Sequence, residues 1–135
     1  MASSFELNVL TAGRSLASTQ ATALTIPGSL GYMTILPDHT AFVSELAVGT
    51  MTVTDAATKE KKDYFLSGGF VEVVGSTVNV LADQVEKPEE IDRAAVEAEA
   101  KALREKLGGK QESAEDIDLL SHKLKEAEAR LDLAK

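Results

Sequence analysis

A sandwich of short antiparallel strands followed by a two-helix hairpin is the fold class that this chain of 135 residues predicts. Three observations point there. Apolar residues in the first part recur with period two, and Gly, Pro, Asp and Ser interrupt them at short intervals, as half-buried strands joined by turns require. From Pro88 onward the period becomes that of a helix. Charge divides with the period: residues 1–84 carry 4 basic and 8 acidic side chains, and residues 85–135 carry 10 and 14. The expected organisation is a β-sandwich domain over 1–86 and a mobile helical hairpin over 87–135.

The first strand opens with "FELNVL", which sets Phe5, Leu7 and Val9 on one face. Its bounds are 5–10, and further strands are expected at 14–18, 20–26, 31–36, 41–46, 49–55, 58–66, 69–74 and 77–82. Within "IPGSLGYMTILPDHTAFVSEL", Pro27-Gly28 ends one strand, Ser29-Leu30-Gly31 turns the chain, and Pro37-Asp38 makes a second turn. Leu30 and Tyr32 stand on the first turn, where a loop can hold a partner. In "GFVEVV", Phe70 and Val74 mark one side of a strand and Val71 and Val73 the other. Gly68-Gly69, between two strands, reads as a bulge or a close backbone approach.

"PEEIDRAAVEAEAKALREKL" begins with Pro and acidic residues, which suit a helix N-terminus, and runs into a Gly108-Gly109 cap. One stripe of this helix is Val96, Ala100, Leu103 and Leu107. The other, Ile91, Ala95, Ala98 and Ala102, is nearly all alanine and buries little area, so its docking is weak. "SAEDIDLLSHKLKEAEARLDL" begins with a capping pair, Ser113 and Asp116, and presents the seam Ile117, Leu120, Leu124, Ala127 and Leu131. Leu119 and Leu133 lie off that seam. The short linker between the helices predicts an antiparallel pair.

The composition excludes much. There is no Cys, so disulfides and thiolate chemistry are ruled out. His39 and His122 have no second ligand at metal spacing. His122, four residues after Asp118, reads as half of a solvated charge pair. A net charge of -8 repels phosphate backbones and anionic lipid, and 4% aromatic content gives no stacking platform, so no nucleic acid partner is expected. No apolar run reaches the roughly 18 residues that cross a bilayer, so no direct membrane insertion is expected either. The opening "MASSFELNVL" lacks the basic and apolar parts of a secretory signal. Ser67 sits in no nucleophile elbow, and "GSLGYMT" lacks the Lys and helix of a phosphate loop. No nucleophile, base and orienting group assemble, so catalytic and metal residues are both "none" and an independent enzyme is not expected.

"IPGSLGYMTILPDHTAFVSELAVGTMTV", "FLSGGFVEVVGSTVNVLAD" and "VEKPEEIDRAAVEAEAKAL" together resemble the epsilon subunit of F-type ATP synthases, called delta in mitochondria, over essentially the whole chain. That resemblance implies a ten-strand sandwich and a two-helix hairpin. It implies a non-catalytic rotor subunit of a proton-translocating synthase, peripheral on the cytoplasmic face of the bacterial inner membrane. Its partners would be the gamma subunit and the c-ring, and the alpha/beta head when the hairpin extends and inhibits hydrolysis. Ser29, Leu30, Gly31 and Tyr32 fall on the ring-facing corner, and His39 and Phe42 at the stalk interface. Leu119, Leu120, Leu124 and Leu133 belong to the regulatory hairpin. Some members bind ATP through Ile/Leu-Asp-x-x-Arg-Ala. Ile91 and Asp92 match, but Ala95 and Val96 stand at the Arg and Ala positions and Arg93 comes early, so no cofactor is expected and these three remain weak nucleotide candidates. The alternative reading is a small-ligand-binding sandwich with a coiled-coil oligomerisation tail, which an apolar interior cavity would favour.

Overall fold

Phe5, Leu7 and Val9 are buried and Glu6 is exposed, so period two along β1 (Phe5–Thr11) is a true inside-outside alternation. The same rule builds the rest of the first unit. The computed structural model describes residues 3–109 and 113–134. Its strands are β1, β2 (Arg14–Gly28), β3 (Gly31–Ile35), β4 (Phe42–Glu45), β5 (Val48–Asp55), β6 (Lys61–Val74) and β7 (Thr77–Glu86). The chain divides into two compact units, Met1–Glu86 and Lys87–Lys135.

The strands follow the order β1-β7-β6-β5-β2-β3, and β1 also pairs with β2, so five of them close on themselves. β1 and β7 run parallel; the other pairings are antiparallel. Seven strands, against the ten that the resemblance implies, result from continuity. β2 covers the runs expected at 14–18 and 20–26, pairing with β1 through its first half and with β3 through its last five residues. β6 likewise covers 58–66 and 69–74 as one strand from Lys61. Enclosed between them is one core that includes Leu7, Leu24, Ile26, Ile35, Met51, Leu66, Val71, Val78 and Val80. Each such side chain contributes about 1.5–3 kcal/mol on burial.

The Gly68-Gly69 pair is where β6 keeps its register while its backbone turns inside out. Partners Ser67↔Gln84 and Gly69↔Ala82 lie on one unbroken ladder, so the pair is a close approach and not a bulge. Both glycines have positive φ, 68° and 101°. A Cβ on Gly69 would collide with the Leu81 carbonyl oxygen, and one on Gly68 with the Asp83 carboxylate. On the other edge of β6, β4 and β5 are two parts of one path. Leu46 N–H donates to Gly69 O at 2.9 Å and Gly68 N–H to Ala47 O at 3.1 Å, carrying the ladder through the break.

In the second unit a 3₁₀ turn at Pro88–Glu90 precedes α1 (Arg93–Gly108), and α2 spans Ala114–Leu133. The first helix therefore starts later than Pro88, because Asp92 is extended and caps it by accepting the Ala95 N–H at 3.2 Å. Ser113 caps α2 by accepting the Asp116 N–H at 3.1 Å. Gly109 ends α1 in an extended conformation, not in the left-handed one that a Gly cap commonly uses. Val96, Ala100 and Leu103 are buried, as a stripe at i, i+4 and i+7 should be, whereas Ala95, Ala98 and Ala102 are exposed. α2 buries Ala127 completely.

Candidate functional site

The corner between β2 and β3 is built by a short hairpin. Gly28 pairs with Gly31, and Ser29 and Leu30 form the turn between them. Gly31 takes a φ of 132°, which a side-chain-bearing residue rarely adopts. A Cβ on Gly28 would lie 2.8 Å from Gly31 O, so the turn closes only on glycine. Leu30 is fully exposed, at 103% of its reference area, and Tyr32 at 61%. An apolar side chain presented whole to solvent at a rigid turn is a contact feature and contributes nothing to the core.

Behind this corner the ladder between β2 and β5 is irregular. Thr25 pairs with Thr52, but Gly28 bridges to Leu46, so the β5 side carries three more residues than the β2 side between these pairs. Ala47 N–H donates to Pro27 O at 2.7 Å and Ser29 N–H to Glu45 O at 3.0 Å. The Pro27 carbonyl is thus taken by Ala47, and the Thr50 N–H turns elsewhere. It donates instead to the hydroxyl of Tyr32 at 3.0 Å. The Tyr32 ring crosses Pro27 and lies on Gly49, where a Cβ would collide with the phenol oxygen and sit 2.9 Å from Pro27 Cβ.

His39 and Phe42 come together, with ring centroids 5.0 Å apart at an interplanar angle of 53°. His39 is exposed, its Nδ1 2.9 Å from Thr40 O, and Phe42 packs partly on the core. Beyond them the outer face of the sheet carries Val43, Phe70 and Leu81, 66%, 50% and 49% exposed. Phe70 lies opposite Leu81, and Leu81 beside Leu10 of β1, so an apolar row crosses three strands. The sequence gives a signal for this row that the expected contact residues omit. "GFVEVV" is apolar on both sides, and a strand whose outward side stays apolar has something to meet there.

The hairpin residues divide. Leu119 is 53% exposed, while Leu120, Leu124 and Leu133 are half-buried. Of the nucleotide candidates, Ile91 is buried and Asp92 is the α1 cap. Arg93 donates through Nε to Glu97 at 3.1 Å and through Nη1 to Ala134 O at 3.0 Å, fastening the end of α2 to the start of α1. His122 Nε2 lies 3.8 Å from Glu126 Oε1, one turn onward, and not against Asp118 one turn back. No helix among the described residues is long and apolar enough to cross a membrane.

An exposed hairpin turn, an apolar sheet face and two helices define a subunit that works through protein contacts. The chain belongs to the ATP synthase delta/epsilon chain family: residues 4–88 match its beta-sandwich domain. It is 41% identical over 106 residues to the ATP synthase epsilon chain of Desulforapulum autotrophicum, covering 78% of this chain and 77% of the relative. It is 33% identical over 130 residues to the sodium ion specific ATP synthase epsilon chain of Propionigenium modestum, covering 96% and 93%. The fold matches a chain in the cryo-EM structure of the Euglena gracilis mitochondrial ATP synthase, OSCP/F1/c-ring, with a TM-score of 0.83 at 23% identity, over 96% of this chain and 80% of that one.

Proposed function

We propose that this chain is a non-catalytic rotor subunit that links a c-ring to the F1 sector through the central stalk, bound peripherally at the cytoplasmic face of a bacterial inner membrane. The observation that carries the reading is the Ser29–Leu30 turn, which holds a wholly exposed leucine at the tip of a glycine-closed hairpin. Ser29, Leu30 and Gly31 meet the polar loops of the ring, on a corner that Tyr32 completes. His39 and Phe42, with the apolar row of Val43, Phe70 and Leu81, meet the gamma subunit. The helical hairpin, carrying Leu119 and its neighbours, restrains ATP hydrolysis when it opens toward the catalytic head. The side chains of Asp92 and Arg93 are already engaged within the hairpin, which speaks against a nucleotide at Ile91–Arg93.

The test is Leu30→Asp in the assembled synthase. The isolated chain keeps its melting temperature, since Leu30 is packed on nothing, and the enzyme hydrolyses ATP with fewer ions moved per turnover. Full coupling by a fully assembled Leu30→Asp enzyme overturns the reading. The ligand-binding alternative gains nothing from the apolar pocket that the described residues Leu7, Val9, Leu16, Met51, Tyr64 and Val85 line inside the sandwich: it holds about 30 Å³, close to the size of one water and far below an organic ligand.

A further inference from the structure

The corner carries two exposed apolar residues, but they are not equivalent. Leu30 touches nothing, whereas Tyr32 is fixed at both ends. Its backbone is paired with Pro27 in β2 and its hydroxyl holds the Thr50 N–H of β5. The β2–β5 register is broken here and the Pro27 carbonyl already accepts from the Ala47 N–H, so the phenol is the acceptor that Thr50 uses, and it adds a tie from β3 to β5 beside the Ser29–Glu45 bond that holds the turn to β4. Gly49 makes the arrangement possible, because any Cβ there would displace the phenol.

We propose that Tyr32 is a positioning residue: it is a strut that braces the Ser29–Leu30 turn against β5, and Leu30 makes the contact. This deepens the reading above and rests on it. A flexible two-residue turn would lose the orientation of its tip when loaded; a cross-strand bond spanning Pro27 removes that freedom at the cost of one aromatic side chain. The phenol thus acts on the ring through Leu30 and not by touching it.

The test uses the full chain, isolated and in the assembled enzyme, with four variants: Leu30→Asp, Tyr32→Phe, Gly49→Ala and Thr50→Pro. Thr50→Pro removes the donor and leaves Tyr32 untouched, and it stands in should Gly49→Ala fail to fold. The readouts are ions moved per ATP hydrolysed, affinity for F1, and hydrogen exchange of the Thr50 amide. Tyr32→Phe should raise Thr50 exchange about fivefold, the equivalent of one neutral hydrogen bond. Tyr32→Phe and whichever of the other two brace variants folds should each cause a partial loss of coupling with affinity for F1 unchanged. A general loss of stability would move both. Normal coupling by Tyr32→Phe despite faster exchange overturns the strut. So does uncoupling by Tyr32→Phe while folded Gly49→Ala or Thr50→Pro couples normally, since Tyr32 would then be a direct contact. Normal coupling by Leu30→Asp removes the corner reading itself, and the strut with it.

Discussion

Asn8 donates its side-chain N–H to Asn79 Oδ1 at 3.0 Å, joining the first strand of the sandwich to the last. Asn79 donates in turn to Glu72 Oε1 at 3.2 Å, and Ser18 donates its hydroxyl to Asn8 Oδ1 at 2.9 Å. These residues pair in register, so one row of side-chain hydrogen bonds crosses β6, β7, β1 and β2 next to the apolar row of Phe70 and Leu81. Asn8→Ala should cost about 1 kcal/mol, read from urea unfolding. The double change with Asn79→Ala should cost less than the sum, since both singles break the same bond. Additive losses would show that the row is a set of independent surface contacts.

Gly69→Ala should be far more damaging than Gly75→Ala. Both positions have positive φ, 101° and 59°, but a Cβ on Gly75 meets nothing within 4 Å, while on Gly69 it meets the Leu81 backbone. The open position should lose about 1 kcal/mol from φ alone. The crowded one should lose about 3 kcal/mol or more. Thermal melts of the two variants side by side decide it, and equal losses would remove the close-approach argument.

Asp55 gives the fold an acid limb. The N–H groups of Thr58 and Ala57 both donate to its Oδ1, and they hold its carboxyl below the usual carboxylate range. A depressed folded pKa means that the stabilisation is complete above the unfolded value of about 3.9 and disappears as pH falls through the folded one. Asp55→Asn should therefore be less stable than the parent at neutral pH, and the gap should narrow below about pH 4. A gap that stays constant down to pH 2 would contradict the assignment.

The hairpin should be separable. Residues 1–86 form a unit with a core of their own, drawn from all its layers. A chain ending at Lys87 should unfold cooperatively, and the assembled enzyme carrying it should hydrolyse ATP faster while still making it. Within the hairpin, Arg93→Ala should speed hydrogen exchange in the last turn of α2, because the bond to Ala134 O is lost. Unchanged hydrolysis at matched occupancy would show that the hairpin does not restrain the head.

The fold was readable because its two periods are clean. Leu7, Val9, Val71, Val73, Val78 and Val80 alternate without exception, and Val96, Ala100 and Leu103 keep the helical spacing. What period cannot report is continuity. A strand that passes from one partner to another looks like two strands interrupted by small residues, as Arg14–Gly28 does: its pairing moves from β1 to β3 and β5 at Ala21-Thr22-Ala23. The corner was legible as a turn from Pro27, Gly28 and Gly31. The role of Tyr32 was not, since a bond from its hydroxyl to the Thr50 amide depends on a register break that no local pattern encodes. The start of α1 was misplaced for a similar reason. Pro88 and Asp92 are both good helix openers, and only the backbone distinguishes the 3₁₀ turn from the cap.

The long strands also determine how the sandwich carries mechanical load. Layers held together only by side-chain packing can slip past one another under torque. Here β2, 15 residues and about 50 Å of extended chain, passes from its pairing with β1 into its pairing with β3 without a loop. β6 does the same between β5 and β4. A twisting force applied at the Leu30 tip would therefore enter a covalent backbone that passes from the β3 ladder to the β1 ladder without a loop. Strands continuous in this way should make the domain a stiff key and not a clutch, so that elastic compliance in a rotor built with it would reside in other parts.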